Sequence, residues 1–288
     1  MSSLLQTDAM SRPSPTVRRR RIAAELKRLR EERGLTLDHA AKELGVARST
    51  MSRIENAQVS VRPGDVRTLL ELYGVEPTDV AALVQVARDA RQRGWWQTYS
   101  DVLPSWFEVY VGLEQAASEI STFEVALVPG LLQTPDYARA VIEAELPDAP
   151  PAEVDRRTEL RMKRQWDEAR PDLWVVLDEA VIRRVVGGAP TMRAQLERLA
   201  EVAEQPGQTL QIIPFGAGAH ASMVSSFSIL SFPELADPPV VYLESRAGSL
   251  YVEGSGAHTY VRIFRTLQAD AISPKASIDM VREVAKTL

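Results

Sequence analysis

The sequence predicts two domains of different class: an N-terminal all-α helix-turn-helix domain of about five helices, followed by an α+β domain with a mixed or antiparallel sheet. Three observations carry this expectation. Charge divides the chain: the 288 residues have a formal net charge of −5, yet residues 1–93 hold 17 Lys and Arg against 12 Asp and Glu, and residues 94–288 hold 17 against 27. Apolar residues up to position 93 recur at helical spacing in short runs stopped by glycine. Beyond position 94, runs rich in β-branched and aromatic residues interleave with helical patterns. The expected boundaries are a disordered arm at 1–17, a helical domain at 18–93 and an α+β domain at 94–288.

Composition narrows the function classes. A chain that is 45% hydrophobic and 25% charged has globular proportions and enough length for two cores. No run of 18 apolar residues occurs, and MSSLLQTDAMSRPSP lacks the charge-then-apolar order of a secretory signal, so the expectation is a cytoplasmic protein with no membrane partner. Zero cysteines exclude disulfides, thiolate metal sites and cysteine nucleophiles; histidine occurs only at 39, 220 and 258. No cofactor and no metal site is expected.

From the N-terminus, Ser, Pro and Thr without an apolar period give the arm, and the cluster Arg18, Arg19, Arg20, Arg21 follows. Ile22, Leu26 and Leu29 place a helix from Arg19 to a stop at Gly34. Thr36 can cap a second helix, LDHAAKEL, with Leu37, Ala40, Ala41 and Leu44 on one face and Gly45 as its end. Met51 and Ile54 anchor a third helix over about 47–56. Val66, Leu69 and Leu70, then Val80, Leu83, Val84 and Ala87, give two more helices over about 63–73 and 77–93.

Two short helices joined through Gly45, with the small Ala41 permitting close approach, form a helix-turn-helix whose second helix is polar because its outer face enters a major groove. Arg48, Ser49, Thr50, Ser52 and Arg53 face outward; arginine can grip guanine O6 and N7, and hydroxyls can bond bases or phosphates. With Thr36 and Asn56 at the motif's ends they make the expected set for contacting double-stranded DNA. Residues 12–53 hold 12 basic and 5 acidic side chains, the local excess a phosphate-binding module needs. The competing reading of this helix is a solvated polar face. Residues 18–21 divide likewise between phosphate or minor-groove contact and a solvated charge run. One such motif covers about half a turn of groove, so a homodimer on a near-palindromic operator is expected.

In the second domain the aromatic stretch GWW with Trp106-Phe107 reads as interdomain packing or, alternatively, an aromatic ligand box. A strand at 122–128 precedes the turn Pro129-Gly130; helices at 136–146 and 151–168 flank PDAPP; 173–177 is a buried strand; helices at 179–186 and 191–204 flank Gly187-Gly188. TLQIIPF, SFSILSF, PVVYLES and SLYVEG are strand-like, and helices near 256–269 and 275–287 close the chain. Asp178-Glu179 and His220 invite a catalytic reading, but no nucleophile elbow, HExxH or phosphate loop accompanies them, so no enzyme is expected. Asp178 and Glu179 instead suit a helix N-terminus, and His220 a loop.

Residues 34–75, GLTLDHAAKELGVARSTMSRIENAQVSVRPGDVRTLLELYGV, resemble the phage-repressor/Cro or xenobiotic-response-element helix-turn-helix family. One departure stands out: Asn56-Ala57 falls where that family places a glycine, which predicts a less sharp turn after the third helix. The blocks FEVALVPGLLQTPDYARAVI, VLDEAVIRRVVGG, TLQIIPFGAGAH and VVYLE resemble the C-terminal domain behind such modules in many actinobacterial regulators. This second resemblance implies a small partner protein encoded nearby and an antitoxin-like role in differentiation or antibiotic production. Beside a transcriptional regulator, two readings therefore stay open for residues 95–288: capture of that partner, with DNA binding serving autoregulation, and reception of a small-molecule effector.

Overall fold

The computed structural model describes residues 14–91, 94–165, 171–233, 238–246 and 248–288. They fall into two compact units that divide between Gln97 and Thr98.

The first unit is helical throughout: α1 (Pro15–Glu32), α2 (Leu37–Leu44), α3 (Arg48–Glu55), α4 (Pro63–Leu72) and α5 (Pro77–Asp89). Helix α1 starts at Pro15, ahead of the expected Arg19, because proline after Ser14 presets φ where no amide partner is needed. Of the arm expected at 1–17, residues 1–13 lie outside the described residues, and the remainder is a correction: it begins α1. Ile22, Leu26, Met51, Ile54, Val66, Leu69, Leu70, Tyr73, Val80 and Val84 meet in one core. They lie at the helical spacings that marked these elements in the sequence.

Helices α1 to α4 end in the same way. In each, one amide reaches back three residues and the next reaches back five: Gly45 N–H to Lys42 O and Val46 N–H to Ala41 O close α2, and Ala57 N–H to Ile54 O and Gln58 N–H to Arg53 O close α3. This double bond pattern needs a left-handed residue at the turn. Gly45 supplies it at φ 64°, whereas after α3 it falls to Ala57 at φ 55°, the one non-glycine with positive φ among the described residues. The expectation of a less sharp turn is thereby corrected. The turn keeps its hydrogen bonds and accepts the steric cost of a Cβ instead.

The second unit opens with α6 (Ser105–Ala116) and runs β1 (Glu119–Glu124), α7 (Pro135–Glu145), α8 (Pro151–Lys163), β2 (Asp172–Asp178), α9 (Glu179–Arg183), α10 (Ala189–Ala203), β3 (Gln208–Ile213), β4 (Phe227–Ser231), β5 (Val240–Ser245), β6 (Gly248–Val252), α11 (Ser255–Asp270) and α12 (Pro274–Lys286). The strands form one sheet in the order β3-β2-β1-β4-β5-β6. Neighbours β1, β2 and β3 are parallel and joined through helices; β4, β5 and β6 are antiparallel. The sheet is therefore mixed. Alternation of side chains across it sends Val175, Leu177, Leu210 and Ile212 into a core with α7, α10 and α12. Phe123, Val176, Phe227, Ile229 and Val241 face the opposite way, toward Phe264 and Leu267 of α11.

Several expected boundaries shift: α5, expected over 77–93, ends at Asp89, and α8, expected over 151–168, ends at Lys163. The first strand spans 119–124 rather than 122–128, because its register from Glu119 against Asp172 to Glu124 against Leu177 ends with β2. Val128 then leaves the sheet to join the α7–α10 core, an apolar run the sequence alone could not divide. Helix α9 stops at Arg183, short of 186. No helix among the described residues is long and apolar enough to cross a membrane.

The left-handed alanine generates a prediction. Ala57→Gly should stabilise the helical unit by about 0.5–1 kcal/mol, and Gly45→Ala should destabilise it by about 1 kcal/mol or more. Amide hydrogen exchange across α2 to α4 in the full chain checks both; slower exchange in wild type than in Ala57→Gly would contradict the strain.

Candidate nucleic-acid interface

The α2–α3 pair is built from small parts. The Thr36 hydroxyl accepts the His39 amide at 3.3 Å and starts α2, while Gly45 ends it, so its length is set at both ends. Ala40 and Ala41 are buried and present little bulk, which lets α3 approach closely. Helix α3 has eight residues and buries only Met51, Ile54 and Glu55.

Glu55 is the residue that sequence reasoning missed. Its carboxylate accepts from Arg30 Nε at 2.7 Å and from Arg30 NH2 at 2.9 Å, both side chains being buried, and Arg30 NH1 also donates to Leu35 O at 2.7 Å. This planar two-bond clamp fixes α3 and the α1–α2 turn to α1 at once. The hydrogen bonds to Glu55 hold the Arg30 guanidinium above its ordinary pKa. Beside the clamp, burial pushes the Tyr73 phenol up to about 12, with Glu55 adding to the effect. A signal was present: Glu55 follows Met51 by four residues and so shares the inward face of an otherwise polar helix.

The outward face carries the expected contact residues. At about 100° per residue, Arg48, Ser49, Ser52, Arg53 and Asn56 fall within an arc of about 140°. Arg48, Ser49, Arg53 and Asn56 are exposed, and Thr50 and Ser52 are half-buried, Thr50 at the margin of the arc. Arg48 Nε lies 3.4 Å from Asp38 Oδ2 of α2, with side-chain exposures of 67% and 69%, a pair so open to water that a phosphate or base can replace it at little cost. Arg53 has no ion-pair partner among the described residues. Asn56 donates through Nδ2 to Ser52 O at 2.8 Å. Thr36 is committed to its cap as an acceptor but keeps a hydroxyl proton to donate. Residues 18–21 lie half-buried on α1, not as a fully solvated run.

Asp178, Glu179 and His220, the residues that invited a catalytic reading, lie close together in the second unit. Asp178 Oδ1 accepts the Ala180 amide at 2.7 Å and caps α9. Glu179 accepts the Phe215 amide at 2.7 Å and pairs with Arg183 at 3.0 Å. His220 stands in the β3–β4 connection, its Nε2 3.4 Å from Asp178 Oδ2 and its ring edge-on to Phe123. Together they brace that connection against β1 and α9.

Among known families, the model described as a helix-turn-helix domain matches residues 21–83, and the model described as a domain of unknown function (DUF5753) matches residues 107–283. No curated protein and no solved structure matches the chain.

The clamp makes the positioning of α3 testable. Glu55→Ala strands a buried guanidinium and should cost about 3–5 kcal/mol, whereas Arg30→Met with Glu55→Leu, which leaves no unpaired charge, should cost far less. Thermal unfolding with hydrogen exchange at α3 checks this; equal losses in the two variants would contradict a charge-driven clamp.

Proposed function

The chain belongs to the DUF5753 family, and because a helix-turn-helix domain precedes the DUF5753 match, we propose that it is a sequence-specific transcriptional regulator acting as a dimer on a near-palindromic operator. The observation that carries this reading is the outward face of α3: two arginines and three hydrogen-bonding side chains on one arc of a helix held by the Arg30–Glu55 clamp. The helix-turn-helix domain supports DNA binding, and the sign of the charge agrees, since residues 12–53 carry the basic excess while residues 94–288 carry ten more acids than bases. The acidic second unit is repelled by phosphate and serves as the receiver of a protein or small-molecule signal. In this reading the protein works in the cytoplasm, on the nucleoid when DNA-bound.

One feature favours a second reading, the antitoxin-like capture of a small partner protein. Phe215, Met223 and Val224 are exposed on the β3–β4 connection, apolar side chains that a partner could cover. Co-purification of a small neighbouring protein with the full chain, lost in Val224→Asp, supports this reading over a small-molecule receptor.

Arg48→Ala should weaken the preferred duplex by roughly 1–3 kcal/mol and relax preference at one or two base pairs. Arg53→Ala should weaken all duplexes alike and lower the slope of log affinity against log salt by about 0.9. Fluorescence anisotropy on specific and scrambled duplexes separates the two. A uniform loss for Arg48→Ala, or a base-specific one for Arg53→Ala, contradicts the assignment.

A further inference from the structure

Within the second unit, a cavity of about 50 Å³ is lined by residues of β1, β2 and β4, by the turn at Gly130, by Tyr110 of α6 and by Arg164 just after α8, its polar groups being those of Tyr110, Thr122, Glu124, Arg164 and Ser228. That is room for a few water molecules, or about five heavy atoms. It sits beside β1, the strand at which the parallel half of the sheet meets the antiparallel half, a position where sheets of this kind commonly admit ligands.

The chemistry around the cavity is unbalanced in two places. Arg164 uses Nε and NH2 to grip Glu114 at 2.8 and 2.6 Å, with its guanidinium 5.1 Å from the Phe107 ring centroid, and NH1 is left over. Arg161, one helical turn away, donates to Gln133 Oε1 at 2.7 Å and has no ion pair among the described residues. Burial, and then repulsion from Arg164, pulls its pKa below the ordinary value. Glu145, Glu244 and Glu114 act on Arg161 in the opposite sense, and the one ion pair on the cavity wall among the described residues is Arg164–Glu114. A Cβ at Gly130 would lie 3.2 Å from Arg161 Cδ and 3.3 Å from Arg164 NH1, so the glycine keeps the space in front of both open. On the other side, burial pushes the carboxyl of Glu124, at the end of β1, up to about 7, with Glu244 of β5 adding to the rise and the hydroxyls of Ser226 and Thr122 opposing it. A half-buried carboxyl with no ion-pair partner among the described residues can accept a cation.

We propose that this cavity binds a small amino acid, whose carboxylate meets Arg164 beside Gly130 and whose ammonium meets Glu124. The inference deepens the reading of the second unit as a signal receiver, but binding is measured on the protein alone; only an effect on DNA affinity depends on that reading.

The test is thermal melting and calorimetry of the full chain with glycine, alanine and serine at millimolar concentration, beside acetate and methylamine as half-ligands. At least one amino acid should raise the melting temperature, and each half-ligand should do less. Binding should strengthen from pH 6 to pH 8 as Glu124 ionises. Glu124→Gln should weaken binding at least tenfold. Without ligand, that variant should also lose the wild-type fall in stability over the same range, because a carboxyl raised above its unfolded value favours the fold only while protonated. Gly130→Ala, which fills the space before Arg164 without touching Glu124, should abolish binding too. No shift with any amino acid overturns the proposal, as does binding that survives both substitutions or that acetate alone reproduces. A DNA affinity indifferent to a bound amino acid would count against signal reception while leaving the site intact.

Discussion

The contact between Arg30 of α1 and Glu55 of α3 is the constraint on which the functional surface depends. An eight-residue helix that buries two apolar side chains cannot hold its own orientation by packing. Adding apolar residues would take positions from the outward face. A buried, two-point ionic contact supplies direction from a single inward position, and it leaves Arg48, Ser49, Ser52 and Arg53 for other work. Its cost is desolvation of two charges, offset by the bidentate geometry and by the third bond, to Leu35 O, which ties the α1–α2 turn into the same contact.

Much of this was legible in the sequence because it is local. The positions of α2 and α3 follow from Thr36, Gly45 and the spacing of Met51 and Ile54, and the structure places them within a residue of the expected limits. What was not legible depends on contacts remote in sequence. Arg30 and Glu55 lie 25 residues apart and read as ordinary surface charges until the helices pack. The run 122–128 reads as one strand; only the register with β2 shows where it ends. Ala57 shows the opposite case, a residue that local preference argued against and that the turn's two hydrogen bonds overrule.

The second unit has a different economy. Its parallel half, β1 to β3, is packed by α7, α10 and α12 on one face and its opposite face meets α11, so most of the sheet is dry core. Polar groups gather near the end of α8: Glu114, Arg161 and Arg164, with Glu124 of β1 and Tyr242 of β5. None of these stood out in the sequence, since charged residues on α8 follow a common solvated pattern and their burial arises from the strand order. Desolvated groups of this kind lower stability. Asp178, Glu179 and His220 hold the β3–β4 connection in place.

The central claim is that α3 reads base edges from a twofold assembly. Selection of binding sites from random duplex DNA by the full chain tests it most directly. The account predicts enrichment of a motif with two inverted half-sites about one helical turn apart, or a multiple of it, whose information content falls when Arg48 is replaced by alanine. Recovery of no motif, or of one that Arg48→Ala leaves unchanged, would contradict it.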